Sequence, residues 1–371
     1  MARPTVAEIN LSALRHNYRT ICALLPRPVG VLAVVKANAY GHGAVGVSKA
    51  LIEEGVGMLG VASVEEGVEL RQAGIRVPVV VLGGVDEPQA DEALSNGLSS
   101  ALFAPEQIPY LAQAAARRGK PFPVHLKVDT GMGRLGFPPG DAGRILEAVK
   151  SRKELCVEGF MTHLSSADGA EAGDREFTLK QLAAFSEVVA PMREAFGVNI
   201  AVHALNSAGT LSYREFAFDM VRPGIALYGS LPAEGLGADL GLRPVMRLVT
   251  KIVSLKELPA GHPVSYGRGY LRATPVKIAV VPLGYADGYR RAFSNAATMV
   301  VLGCEARVAG RVCMDHTMID VTGIPGASPG TDVVVMGDGA MTADDLARIS
   351  GTIPYEILTQ VGRRIPRRIV G

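Results

Sequence analysis

Apolar residues recur along the chain in two textures. From residue 31 to residue 222, short aliphatic runs alternate with longer stretches whose apolar positions return every three or four residues. Runs of that length predict strands buried on both faces, and the longer stretches predict amphipathic helices. The strands fall at 31–35, 58–61, 77–82, 98–102, 123–128, 156–163, 200–205 and 220–222. Helices are predicted between them, as at 63–73, 106–118, 140–151 and 175–196. Eight strands separated by helices imply an α/β fold, a parallel (β/α)8 barrel of the TIM type. An open doubly wound sheet is the alternative, but so many units in so short a stretch favour closure. Ahead of the barrel, 5–9 alternates like a short strand, and Asn10 is placed to cap a helix over 11–25.

The second texture begins after 231–243, LPAEGLGADLGLR, a glycine-rich stretch. Helical periodicity then mostly stops. Short strands are predicted at 245–255, 276–281, 299–301, 305–309, 312–314, 318–321 and 332–336, with helices only at 342–350 and 354–360. This is a second, mainly antiparallel β domain. The expected division is 1–237 and 238–371.

Composition changes this picture little. The chain has 371 residues, 48% hydrophobic and 20% charged, with a net charge of +2. That balance gives no broad field for nucleic acid. The local exception, Arg363, Arg364, Arg367 and Arg368, reads as a solvated or ion-paired edge. Cys22, Cys156, Cys304 and Cys313 show neither paired nor metal-binding spacing, so a reducing compartment, mostly packing roles and no metal are expected. The N-terminus lacks a signal-peptide apolar core, and no run is long enough to cross a bilayer. A cytoplasmic protein without a membrane partner follows.

Candidate chemistry gathers where the barrel strands end, which is the active face of such barrels. Lys36 follows the first strand. There, scarce water would disfavour its charged form and free an amine able to capture an aldehyde. The same pattern fits a lysine whose stem packs while its head reaches solvent. Lys127 and Asp129 close strand five in VHLKVDTGMGRLG, and His163 closes strand six in GFMTHLSSAD. Asn206 and Ser207 follow strand seven in HALNSAG, and Arg222 closes strand eight in MVRPGIALYG. Singly, each is as well read as structural; at matching ends of separate strands they outline a site. Ser207, Gly224 and Ile225 stand where barrels often bind phosphate through backbone N–H groups. No Walker or Rossmann loop is present.

Taken together, KANAYGHG (36–43), the strand-end segments above, and VSYGRGY, LGYADGY, GRVCMDHTMID and TIPYEIL further on resemble the alanine racemase family, in the family's order. The resemblance spans about 31–364. It implies a pyridoxal 5'-phosphate (PLP) enzyme that interconverts L- and D-alanine, supplying D-alanine for peptidoglycan. It also implies a homodimer whose active sites lie between one barrel and the partner's β domain. By the resemblance, Lys36 holds PLP through a Schiff base. Tyr40, Ser207, Gly224, Ile225 and Tyr355 hold the phosphate. Arg222 faces the ring nitrogen, with His163 beside it. An arginine does not readily give up its proton, so that nitrogen stays unprotonated and reprotonation is favoured over transamination. Racemisation needs proton donors and acceptors on both faces. Lys36 would serve the D-face and the partner's Tyr266 the L-face, with Tyr266 linked through His163 to Arg222. Arg134 and the Met314 backbone would bind the substrate carboxylate. Lys127 matches a lysine that can be carbamylated. Asp168, Tyr285, Arg311 and Asp315 match an entryway.

Competing readings exist. A PLP-dependent decarboxylase would want an acidic partner for the ring nitrogen. A PLP-binding protein without turnover would lack the second domain. A barrel without PLP would leave Lys36 structural. Within the racemase reading, the alternative is a broader enzyme that also turns over small amino acids such as serine.

Overall fold

The computed structural model describes residues 3–26 and 29–371. After β1 (Val6–Asn10) and the helix Leu11–Ala23, eight parallel strands close into a barrel. They are β2 (Gly30–Val34), β3 (Met58–Val61), β4 (Val79–Val81), β5 (Ser99–Leu102), β6 (Phe122–Lys127), β7 (Leu155–Met161), β8 (Ala201–His203) and β9 (Met220–Val221). β9 pairs back onto β2, Met220 opposite Gly30, which completes the ring. The Asn10 side chain accepts from the Ala13 N–H at 3.0 Å, capping the first helix as its residue type predicts.

The second unit is a nine-stranded, mainly antiparallel sheet. Its strands are β10 (Met246–Lys251), β11 (Ser254–Leu258), β12 (Val276–Val281), β13 (Thr298–Val301), β14 (Cys304–Val308), β15 (Thr317–Asp320), β16 (Asp332–Met336) and β17 (Arg367–Val370), joined by β1. The order is β11-β12-β15-β14-β13-β16-β10-β1-β17. β1 runs antiparallel to β10 and parallel to β17, so one strand crosses the division expected at 237/238.

Three expectations need correction, and one strand was not expected. The strand expected at 245–255 is two strands. Ile252 N–H turns to the Thr331 carbonyl and Val253 N–H to Val280, so the chain changes partner there. Residues 312–314 form no strand: Val312 N–H goes to the Ser294 hydroxyl and Cys313 N–H to the His316 carbonyl, closing a turn. β17 lies within the arginine-rich end. There Arg364 pairs with Asp287 and Asp315 and Arg368 with Glu8, whereas Arg367 spends its N–H groups on backbone carbonyls. Two of the four free cysteines, Cys156 and Cys304, are exposed rather than packed, on the outward face of β7 and at the start of β14.

Candidate active site

The barrel's C-terminal mouth is built around an unusual backbone. Immediately after β2, the segment Lys36–Tyr40 forms a left-handed turn, with φ of +52°, +54°, +53° and +52° at Ala37, Asn38, Ala39 and Tyr40. Left-handed backbone costs a residue with a Cβ roughly 1–2 kcal/mol. Gly41 continues it at φ +83°, and an added Cβ there would strike the Leu358 carbonyl oxygen. Ala39 N–H donates to the Val35 carbonyl at 2.8 Å and Gly41 N–H to Ala37 at 2.9 Å. The Asn38 side chain accepts from Ala44 N–H at 2.8 Å. Two outside groups clamp the ends. Glu66 accepts from Ala37 N–H at 2.6 Å, and Arg367 Nε donates to the Gly41 carbonyl at 2.9 Å.

Lys36 faces a cavity of about 350 Å³, within the range of small-molecule sites. Tyr40, Lys127, Arg134, His163, Ser207, Arg222, Gly224, Ile225 and Tyr355 share that cavity. Among the described residues, Lys36, Lys127, Arg134 and Arg222 line it and no carboxylate does. Burial comes first in each electrostatic perturbation here, and that imbalance adds to it. Burial lowers the Lys36 pKa, Arg134 lowers it further, and Glu66 opposes them. Burial, with Arg222 and Arg134 nearby, pulls Lys127 down to about 8. His163 is pushed well below its ordinary value by burial, then by Arg222. Burial and the guanidinium groups favour the neutral, nucleophilic form of Lys36, in a site whose other cations suit an anion.

Arg222 is 4% exposed and makes no ion pair among the described residues. Its guanidinium donates to the carbonyls of His203 at 2.7 Å, Thr162 at 2.6 Å and Ala204 at 2.9 Å. One N–H also meets His203 Nδ1 at 2.8 Å, and His163 Nδ1 lies 3.4 Å from another. Arginine only donates, so His203 Nδ1 accepts, and the ring must carry its proton on Nε2, toward His125 Nδ1 at 3.0 Å. Burial lowers the Arg222 pKa to about 10, which leaves it cationic near neutrality.

Across the mouth, Ser207 Oγ accepts from Gly224 N–H at 2.8 Å and from Ala226 N–H at 3.4 Å. Its own hydroxyl proton is left to donate. Asn206 caps the short helix that carries Ser207, accepting from Gly209 N–H at 2.9 Å. A Cβ at Gly224 would collide with the Tyr40 hydroxyl, so only glycine lets phenol and backbone approach together. The Tyr40 and Tyr355 rings lie 6.0 Å apart, and burial raises both phenol pKa values, keeping both as donors. Hydroxyls, backbone N–H groups and unpaired cations fit a phosphate-bearing ligand.

The remaining candidates lie elsewhere. Tyr266 is 68% exposed, Met314 54% and Tyr285 44%; Arg311 is exposed too, and Asp315 is half-buried. Loop contacts hold this set together: Ser265 donates to the Arg311 carbonyl at 2.7 Å, and Tyr285 N–H to Cys313 at 3.0 Å. None of it lines the barrel cavity of its own chain. Asp168 is exposed but close enough to act on Tyr355. Sequence reading missed Glu66, His203 and Arg367. The first had a signal: Ser63-Val64-Glu65-Glu66 has the spacing of a helix capping box, which marks Glu66 as an acceptor though not for whom.

Comparison with known proteins agrees with this geometry. Two family models match, described as "Alanine racemase, N-terminal domain" over residues 9–232 and "Alanine racemase, C-terminal domain" over 245–369. A curated relative, "Alanine racemase 2" of Caldanaerobacter subterraneus subsp. tengcongensis, is 42% identical over 98% of this chain and 94% of its own length. An alanine racemase of Symbiobacterium thermophilum is 44% identical over 98% of this chain and 97% of its own. Among solved structures, the alanine racemase of Clostridium difficile 630 superposes with a TM-score of 0.94 at 35% identity, covering 100% of this chain and 96% of that one.

Proposed function

The chain belongs to the alanine racemase family and its activity is the racemisation of alanine, and we propose that it works on PLP in sites shared between two copies of the chain. The observation that carries this reading is the mouth itself: a desolvated amine, three more cations and a hydroxyl-and-amide cradle, with no carboxylate between them.

Bound there, PLP supplies an aldehyde to capture the substrate amine and a conjugated ring that takes up electron density as the α-proton leaves. Ser207, Tyr40, Tyr355, the Ile225 N–H and, once released from Ser207, the Gly224 N–H would hold the phosphate. Arg222, fixed by three carbonyls and His203, offers only N–H, so the ring atom it meets must accept. Lys36 Nζ takes or returns the α-proton on the D-face. Tyr266 of a second copy does the same on the L-face; within its own chain it is exposed and does not line the cavity. Arg134, whose side chain has no partner among the described residues, binds the substrate carboxylate, helped by the second copy's Met314 N–H. A carbamate on the buried Lys127 would give Arg134 an anion to lie against. Asp168, Tyr285, Arg311 and Asp315 form the approach. No helix among the described residues is long and apolar enough to cross a membrane, and we place the enzyme in the cytoplasm, supplying D-alanine for peptidoglycan.

The test is reduction of the PLP-loaded enzyme with borohydride, followed by peptide mapping. A pyridoxyl label on Lys36 is expected; a label elsewhere, or none, defeats the proposal.

A further inference from the structure

Glu66 lies outside the set of residues that touch the cavity, yet its carboxylate is engaged at the cavity's rim. One oxygen accepts from Ala37 N–H at 2.6 Å and the other from Ala62 N–H at 2.7 Å. The first amide belongs to the peptide that directly follows Lys36; the second follows the end of β3. A single carboxylate therefore ties the ends of two neighbouring barrel strands. Its position in the helix Val64–Gln72 would otherwise direct it back to the helix's own first amides, as in a capping box. It is diverted instead to a backbone segment that is left-handed at four successive residues with a Cβ.

We propose that Glu66 is a positioning residue for the reactive amine: by taking the Ala37 and Ala62 amides together, it fixes the peptide after Lys36 and so the direction in which Lys36 enters the cavity. The left-handed turn closes its own bonds further along, from Ala39 to Gly43. At its start, the Ala37 amide depends on Glu66 alone. The carboxylate is also the anion that raises the Lys36 pKa against burial and Arg134. The other charged or titratable groups coupled to that amine are Arg134 in the loop after β6, Lys127 on β6 and His163 after β7. Removing Glu66 thus frees the peptide and lowers the pH at which Lys36 loses its proton.

The test compares wild type with Glu66→Gln and with Glu65→Gln, which removes the same charge from the same helical turn. Glutamine keeps the shape but has one accepting oxygen, so one of the two amides would face an NH2 group. Two readouts are needed: kcat and KM for L-alanine in the loaded enzyme, and pH-dependent labelling of Lys36 in the cofactor-free chain by formaldehyde and cyanoborohydride. For Glu66→Gln we expect kcat to fall roughly ten- to a hundredfold with KM within about threefold. Its Lys36 labelling curve moves to lower pH, and Glu65→Gln matches wild type in both. A Glu66→Gln enzyme with wild-type kcat, an equal loss in Glu65→Gln, or an unmoved labelling curve overturns the inference. It rests on Lys36 being the site's amine: failure of wild type to label at Lys36 would defeat that reading instead, whatever Glu66 does.

Discussion

The barrel mouth and the Tyr266 surface of the second domain hold equally polar residues under opposite conditions. At the mouth, Arg222 is 4% and Lys127 7% exposed, and burial alters what they and Lys36 can do. On the second domain, Tyr266 and Met314 stand open to solvent; the Met314 carbonyl accepts from Ala286 N–H, and Ser265 beside Tyr266 is tied to the Arg311 carbonyl. One region is chemically prepared within a single chain. The other would acquire a dry environment only when something covers it, and under the proposed function that cover is the mouth of a second copy.

The largest effects test each half in turn. Lys36→Ala removes the prepared amine and should lower racemisation by about 10³-fold or more. Tyr266→Phe removes the covering half's phenol and should cost roughly 10²- to 10³-fold. In deuterium wash-in at the α-carbon, each variant should lose exchange from one enantiomer. Mixing the two inactive chains distinguishes shared from private sites. A hybrid dimer would hold one site with both residues intact, so activity should recover to about a quarter of wild type if subunits exchange freely. No recovery from demonstrably mixed dimers would break the comparison.

The cradle comes next. Gly224→Ala pushes a methyl into the Tyr40 hydroxyl and should weaken PLP binding by about tenfold or more, read by titration of the cofactor-free enzyme. Unchanged affinity would separate Tyr40 and Gly224 from the phosphate.

Both textures were legible in the chain because alternation and helical period report burial directly. The strand-end candidates followed, since strand ends map to one face of a barrel. The left-handed turn was not legible: Ala37 and Ala39 carry no preference for positive φ, and only Asn38 and Gly41 hint at it. Glu66 and Arg367 escaped because their partners are backbone groups 29 and 326 residues away. The 245–255 stretch read as one strand because hydrophobicity does not say where a strand changes neighbours. The exposure of Tyr266 followed only from the family resemblance, since the residues of its motif look alike whether they face their own chain or another.

Acid should expose the same asymmetry. His42 and His125 are fully buried in the barrel, and burial lowers both to about 4. Unfolded histidine titrates near 6.5. Between those values the unfolded chain binds more protons, so stability is complete above about 6.5 and is lost as pH falls toward 4. At pH 5.5 the loss is on the order of 1 kcal/mol for each, visible as a lower melting temperature. Replacing His42 by Gln should flatten the slope. A melting temperature that rises between pH 7 and 5.5 would contradict the assignment.

The smallest effect concerns which half sets substrate size. Tyr355 narrows the mouth from within the chain, beside Tyr40, while Tyr266 and Tyr285 would narrow it from the other copy. A methyl side chain fits such a gate without needing a partner. A hydroxymethyl adds one polar atom that must be desolvated, but an apolar gate rejects an added hydroxyl only weakly. We therefore expect kcat/KM for L-alanine to exceed that for L-serine by only about tenfold. Tyr355→Ala should shrink that ratio if the mouth's own wall dominates, whereas Tyr285→Ala should do so if the covering half does. A clear preference for serine in the wild-type enzyme would overturn the size argument for both halves.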